Sequence, residues 1–92
     1  MNHLQLFRSA KKKTEAALDR APHMFPLESV ISQLDYLISV EEGEESDRGP
    51  LATINLGQIA AHYLENFDRE LAETLFRVSA AARQMNEKTG VG

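Results

Sequence analysis

Apolar residues return every third or fourth position through most of this chain, and no stretch alternates in the strict manner of a strand. That period commits the chain to helices, each with one side to bury. The cleanest case is near the C-terminus, where Leu71, Leu75, Val78, Ala82 and Met85 alternate steps of four and three, the stripe typical of bundle packing. Leu27, Val30, Ile31, Leu34, Leu37 and Ile38 make a broader stripe in a helix expected from Pro26 onward, with Pro26 suited to a first turn and Glu28 to its positive end. Asp35 and Tyr36 fall on the flank of that stripe. An N-terminal helix is expected over Leu4–Arg20, with Leu4, Phe7, Ala10, Thr14, Ala17 and Leu18 on one face; Pro22 and Pro26 bracket the connection that follows. A further helix is expected over Leu51–Glu65, its inner face carrying Ala52, Leu56, Ile59, Ala60 and Tyr63, widened by Ile54, Ala61 and Leu64. Gly57 is costly inside a helix unless another backbone approaches closely. Asn66 or Asp68 can cap the last helix, and the final residues, Thr89 to Gly92, are expected to fray. Short connections imply antiparallel neighbours. The expected architecture is therefore all-α: one domain, residues 1–92, forming a compact bundle of four mainly antiparallel helices.

Ninety-two residues support a single modest core. The absence of cysteine rules out disulfides and thiolate metal sites. No apolar run is long enough to cross a bilayer, and the N-terminus does not read as a secretory signal, so a cytoplasmic protein without membrane partners is expected. The net charge of −4 is unevenly spread. Residues 1–20 hold five basic and two acidic side chains, for +3, while the remainder carries −7. The larger part would repel nucleic acid phosphates and suits a basic protein partner instead.

The charge is densest between the second and third helices. Glu41, Glu42, Glu44, Glu45 and Asp47 lie within seven positions, punctuated by Gly43, Gly49 and Pro50. Two readings are open. The segment is a solvated loop held open by self-repulsion, or it is a docking surface for a basic site on another protein, where acidic groups speed and orient association. Tyr36, just ahead of it, is either a core-edge tyrosine or an aromatic anchor beside that surface.

Catalytic and cofactor chemistry finds little support. His3, His23 and His62 lack the spacing of a helical metal motif. None of the serines sits in a strand–turn–helix context, and no glycine-rich phosphate loop occurs. The order of acidic residues does not fit a calcium-binding loop of the helix–loop–helix type. The run Lys11-Lys12-Lys13 splays around a helix, and the expected third helix has no basic residue with which to read nucleic acid. No cofactor, metal or enzymatic activity is expected.

The ordered set Gln33-Leu34-x-Tyr36, Ser39-Val40, Asp47-Arg48, Leu51, Leu56-Gly57-x-Ile59-Ala60 and Glu70-Leu71 resembles the small helical immunity proteins that protect bacteria from a type VI secreted NAD(P)+-hydrolysing toxin, and their relatives paired with other polymorphic toxins. The resemblance spans about Val30 to Leu75. It implies a cytoplasmic, non-enzymatic bundle that binds the catalytic domain of its cognate toxin and blocks substrate access. The stretch from Glu41 to Glu45 departs most from that pattern, which leaves the toxin's activity and delivery route open. Under this reading Asp35, Tyr36, Glu41, Glu42, Glu44, Glu45, Asp47 and Arg48 form the partner-binding surface. Asp47 and Arg48 have a competing structural role, pairing with each other or capping the third helix. Leu34, Leu56, Gly57, Ile59, Leu71 and Leu75 are expected in the core. The alternative is a non-enzymatic helical adaptor or regulator, self-associating through a spare apolar face.

Overall fold

A computed structural model describes residues 3–91, with side chains described through Lys88. Among the described residues four helices form the bundle: α1 (Leu4–Arg20), α2 (Pro26–Glu41), α3 (Leu56–Ile59, continuing as a π-helical turn over Ala60–Leu64) and α4 (Arg69–Val91). A 3-10 turn, Gly49–Thr53, precedes α3. No strand occurs among the described residues. At a rise of about 1.5 Å per residue α4 alone is roughly 34 Å long, which sets the long axis of a body measuring 41 × 22 × 21 Å.

The periodic faces meet at one core. Phe7, Ala10, Thr14 and Ala17 of α1, Leu27, Val30, Leu34, Leu37 and Val40 of α2, and Leu71, Leu75, Val78, Ala82 and Met85 of α4 are all buried in it. The outer members of the expected stripes, Leu4, Leu18, Ile31 and Ile38, are only partly buried. Thr14 is fully buried because its hydroxyl has a partner, donating to the Ala10 carbonyl at 2.7 Å. The helices α1 and α2 are antiparallel: the start of α1 meets the end of α2 through Arg8–Glu42, and Lys11 pairs with Asp35 at 2.6 Å. The other end of α1 reaches the start of α4, where Arg20 pairs with Asp68 at 2.6 Å.

Asp68 caps α4, its Oδ1 accepting from the Leu71 N–H at 3.1 Å, one of the two caps foreseen in the sequence. The backbone of α4 stays helical through Thr89 and Gly90 to Val91, beyond the point where fraying was expected; Gly92 lies outside the described residues.

The third helix departs most from its expected form. Ile54 is extended, with ψ 124°, and separates the 3-10 turn from α3. One continuous helix over 51–65 is therefore replaced by two short pieces. Pro50 lies in the first turn of the first piece, where its missing N–H would be unpaired in any case. The inner face changes with it: Leu51, Leu56, Ile59, Ala60 and Leu64 are buried, whereas Ala52, Ala61 and Tyr63 are exposed. The wider π turn holds about one more residue than an α turn, so Leu64 reaches the interior position that α geometry assigns to Tyr63. Gly57 is half-buried, and its close neighbour is a side chain rather than a backbone. A β-carbon there would lie 3.1 Å from Ser79 Oγ and 3.5 Å from Ser79 Cβ of α4.

Candidate protein-binding surface

The acidic connection begins where α2 stops, and the stop is built by glycine. Gly43 has φ +82°, a left-handed conformation costly for residues with a β-carbon. It lets the Gly43 N–H reach the Val40 carbonyl at 3.1 Å and the Glu44 N–H reach the Ser39 carbonyl at 2.9 Å, the paired bonds of a Schellman termination. The Glu45 N–H also donates to Ser39 O, at 3.1 Å. Beyond this, Glu45 Oε2 accepts from the Asp47 N–H at 2.9 Å, and Asp47 Oδ1 accepts from the Gly49 N–H at 2.9 Å. The Tyr36 hydroxyl donates to the Asp47 carbonyl at 2.7 Å. The chain then returns along α2. Asn55 and Gln33 bond reciprocally, with Gln33 Nε2 donating to Asn55 Oδ1 at 2.7 Å and the Asn55 N–H donating to Gln33 Oε1 at 3.0 Å.

These contacts divide the acidic residues. Three of them face α1: Asp35 pairs with Lys11, Glu42 with Arg8, and Glu41 accepts from the His3 N–H at 2.6 Å. The basic N-terminal helix thus neutralises one side of the acidic region. Glu44, Asp47 and Arg48 are exposed and Glu45 is partly so. Asp47 holds the first N–H of the 3-10 turn, that of Gly49, in an Asx-type turn. Tyr36 packs against the core while its hydroxyl pins the connection, so it serves the fold and borders the charged face together. Burial, and then the charges of Asp47 and Glu45, push the Tyr36 phenol above its ordinary value, which keeps it a hydrogen-bond donor. Among the described residues no group of three His, Cys, Asp or Glu is placed to hold a metal ion. No helix among the described residues is long and apolar enough to cross a membrane.

What remains is a structured acidic surface on a small bundle, and comparison with known families places it. Residues 2–84 match the Tsi6 family. The chain belongs to the Tsi6 family of type VI secretion immunity proteins. Comparisons with curated proteins and with solved structures found no match. The family match takes in α1 and most of α4, well beyond the segment between Val30 and Leu75 that carries the resemblance in sequence. Membership of the Tsi6 family makes this a type VI effector immunity protein rather than an enzyme, with a cognate toxin as its partner.

Several residues that shape the surface give little sign in the sequence. Ser39 contributes only its carbonyl, and Gln33 and Asn55 lie 22 positions apart. Phe25 and Tyr63 are largely exposed and their rings meet edge to face, 6.1 Å between centroids. Helical periodicity assigns Tyr63 to the interior, and Phe25 is the last residue of the connection that Pro22 and Pro26 bracket.

Proposed function

We propose that this Tsi6-family protein binds the catalytic domain of its cognate toxin and blocks the active site, using the acidic connection and Tyr36 as the contact surface. The observation that carries the reading is the form of the connection: charged, solvent-facing at Glu44, Glu45 and Asp47, and fixed by hydrogen bonds before any partner arrives. A preordered loop loses little conformational freedom on association. Its carboxylates suit the basic rim of a pocket that normally receives an anionic substrate. Asp35, Glu41 and Glu42 belong to the same surface, with Lys11 and Arg8 of α1 as exchangeable counter-charges of Asp35 and Glu42. The sequence resemblance supports NAD(P)+ hydrolysis as the toxin's reaction.

The test is an NAD(P)+ consumption assay with the catalytic domain of the cognate toxin. Equimolar protein should suppress turnover, and Glu44→Lys/Glu45→Lys should release it while thermal stability changes little. Suppression that survives the double reversal would remove the connection from the interface. Toxicity without NAD(P)+ loss would reject the assigned reaction.

A further inference from the structure

Two exposed aromatic residues, at the opposite end of α2 from the acidic connection, remain without a role in the fold. Phe25 is 75% exposed and Tyr63 is 50% exposed, yet their rings are in contact. Isolated exposed apolar residues are ordinary on a protein surface; here each of the two also occupies a position that local stability would fill differently. Phe25 stands at the N-cap of α2 with no side-chain cap, a position where small polar residues are preferred over large apolar ones. Tyr63 lies seven residues after Leu56, nearly two α-helical turns, and so within about 20° of its direction in regular geometry. It would be central in the buried face. The π turn instead buries Leu64 completely and leaves Tyr63 outside. Such turns are rare and concentrate at functional sites.

The path of the chain puts this pair on the same side of the molecule as the acidic connection. The connection crosses back to α2 at Tyr36–Asp47, touches it again at Gln33–Asn55, and α3 then runs along it to Phe25–Tyr63. The three contacts follow α2 in order, and the outer two are separated by eleven helical residues, roughly 16 Å. A standard interface buries about 800 Å² on each partner, a patch roughly 30 Å across. It therefore accommodates both ends of the strip.

We infer that Phe25 and Tyr63 form the apolar anchor of the toxin interface, whose charged end is the acidic connection. The inference rests on the reading proposed above and adds a second, chemically distinct contact. The carboxylates accelerate encounter, and the ring pair, entering an apolar recess beside the toxin's basic site, sets residence time. The occupant is the toxin because the ring pair continues the surface already assigned to it, across a bridge of satisfied amide groups at Gln33 and Asn55.

Binding kinetics of the full chain against the toxin's catalytic domain, at low and moderate salt, separate the two ends. Phe25→Ser and Tyr63→Ser should each raise the dissociation rate roughly tenfold or more with salt dependence unchanged. Glu44→Lys/Glu45→Lys should mainly slow association. Dissociation rates within about twofold of wild type in both aromatic variants would overturn the inference; if charge reversal still slowed association, the proposed acidic surface would stand. If only the aromatic variants weaken binding, the anchor holds and the acidic assignment falls. Phe25, 75% exposed, should be replaceable by serine with a melting temperature close to wild type, so a thermal scan of Phe25→Ser separates loss of binding from loss of fold, and this variant decides the matter if Tyr63→Ser is destabilised. Sedimentation gives the remaining outcome: a wild-type dimer dissolved by Phe25→Ser would assign the patch to a second copy of the chain and overturn the proposal.

Discussion

A single carboxylate, Asp68, joins two helices. One oxygen caps α4 at the Leu71 N–H and the other receives the Arg20 guanidinium at the end of α1. Burial opposes its ionisation, but the Leu71 hydrogen bond and the Arg20 charge outweigh burial and hold its pKa below the ordinary value. A depressed carboxylate pKa stabilises the fold above the unfolded value, about 3.9, and that contribution fades as pH falls through the folded one. Asp68→Ala should therefore lower unfolding free energy by about 1 kcal/mol at neutral pH. In urea melts the gap from wild type should narrow as pH falls below the unfolded value; a constant gap would mean that the charge contributes nothing. Gly57 makes a second local case. Alanine there gains up to about 1 kcal/mol of helix propensity, but its β-carbon would crowd the Ser79 hydroxyl at 3.1 Å. Gly57→Ala should be close to neutral alone and stabilising in a Ser79→Ala background, where the remaining approach, 3.5 Å to Ser79 Cβ, is ordinary contact. Equal effects in the two backgrounds would show that the seam adjusts freely.

At the scale of elements, the third helix separates what periodicity reveals from what it conceals. If the π turn sets the phase, Leu64→Ala should cost about 2–5 kcal/mol, as for a fully buried leucine, whereas Tyr63→Ala should cost under about 1 kcal/mol. Denaturation of the two variants checks this, and the reverse order would restore a regular helix. The bounds of α1 and the start of α2 were legible because proline and the apolar period coincide there. So were the α4 stripe and its Asp68 cap. Leu34, Leu56, Ile59, Leu71 and Leu75 are buried as their spacing demands. The break at Ile54 and the π turn were not legible, since a phase shift of one residue leaves composition unchanged and depends on packing against α4. The acidic segment was visible as charge, but its internal bonds were not: they run through the Ser39 carbonyl and through side chains, such as Tyr36 and Asp47, whose other roles are equally ordinary.

At the scale of the whole molecule, the charge imbalance along the chain becomes a spatial pairing. The basic α1 lies against the acidic end of α2, so Arg8 and Lys11 occupy carboxylates that a basic partner would also seek. These pairs face solvent, where water and salt screen them, and they contribute little to stability. Arg8→Gln/Lys11→Gln should therefore melt close to wild type, yet associate faster with a basic toxin domain at low salt. Stopped-flow association would show it, and a slower rate would place α1 itself in the interface.

The turn that closes α2 bears on how the loop meets solvent. The amides of Glu42, Gly43, Glu44, Glu45, Asp47 and Gly49 all donate within the protein, although most of these residues are exposed. Their hydrogens should exchange with deuterated water more slowly than those of an unstructured acidic peptide. Gly43→Ala, which strains the left-handed position, should speed exchange across the segment before it alters the core. The same substitution would convert a loop that opens only transiently into one that samples many shapes. The deuterium uptake of a few surface amides therefore measures how much order the protein carries to its partner in advance.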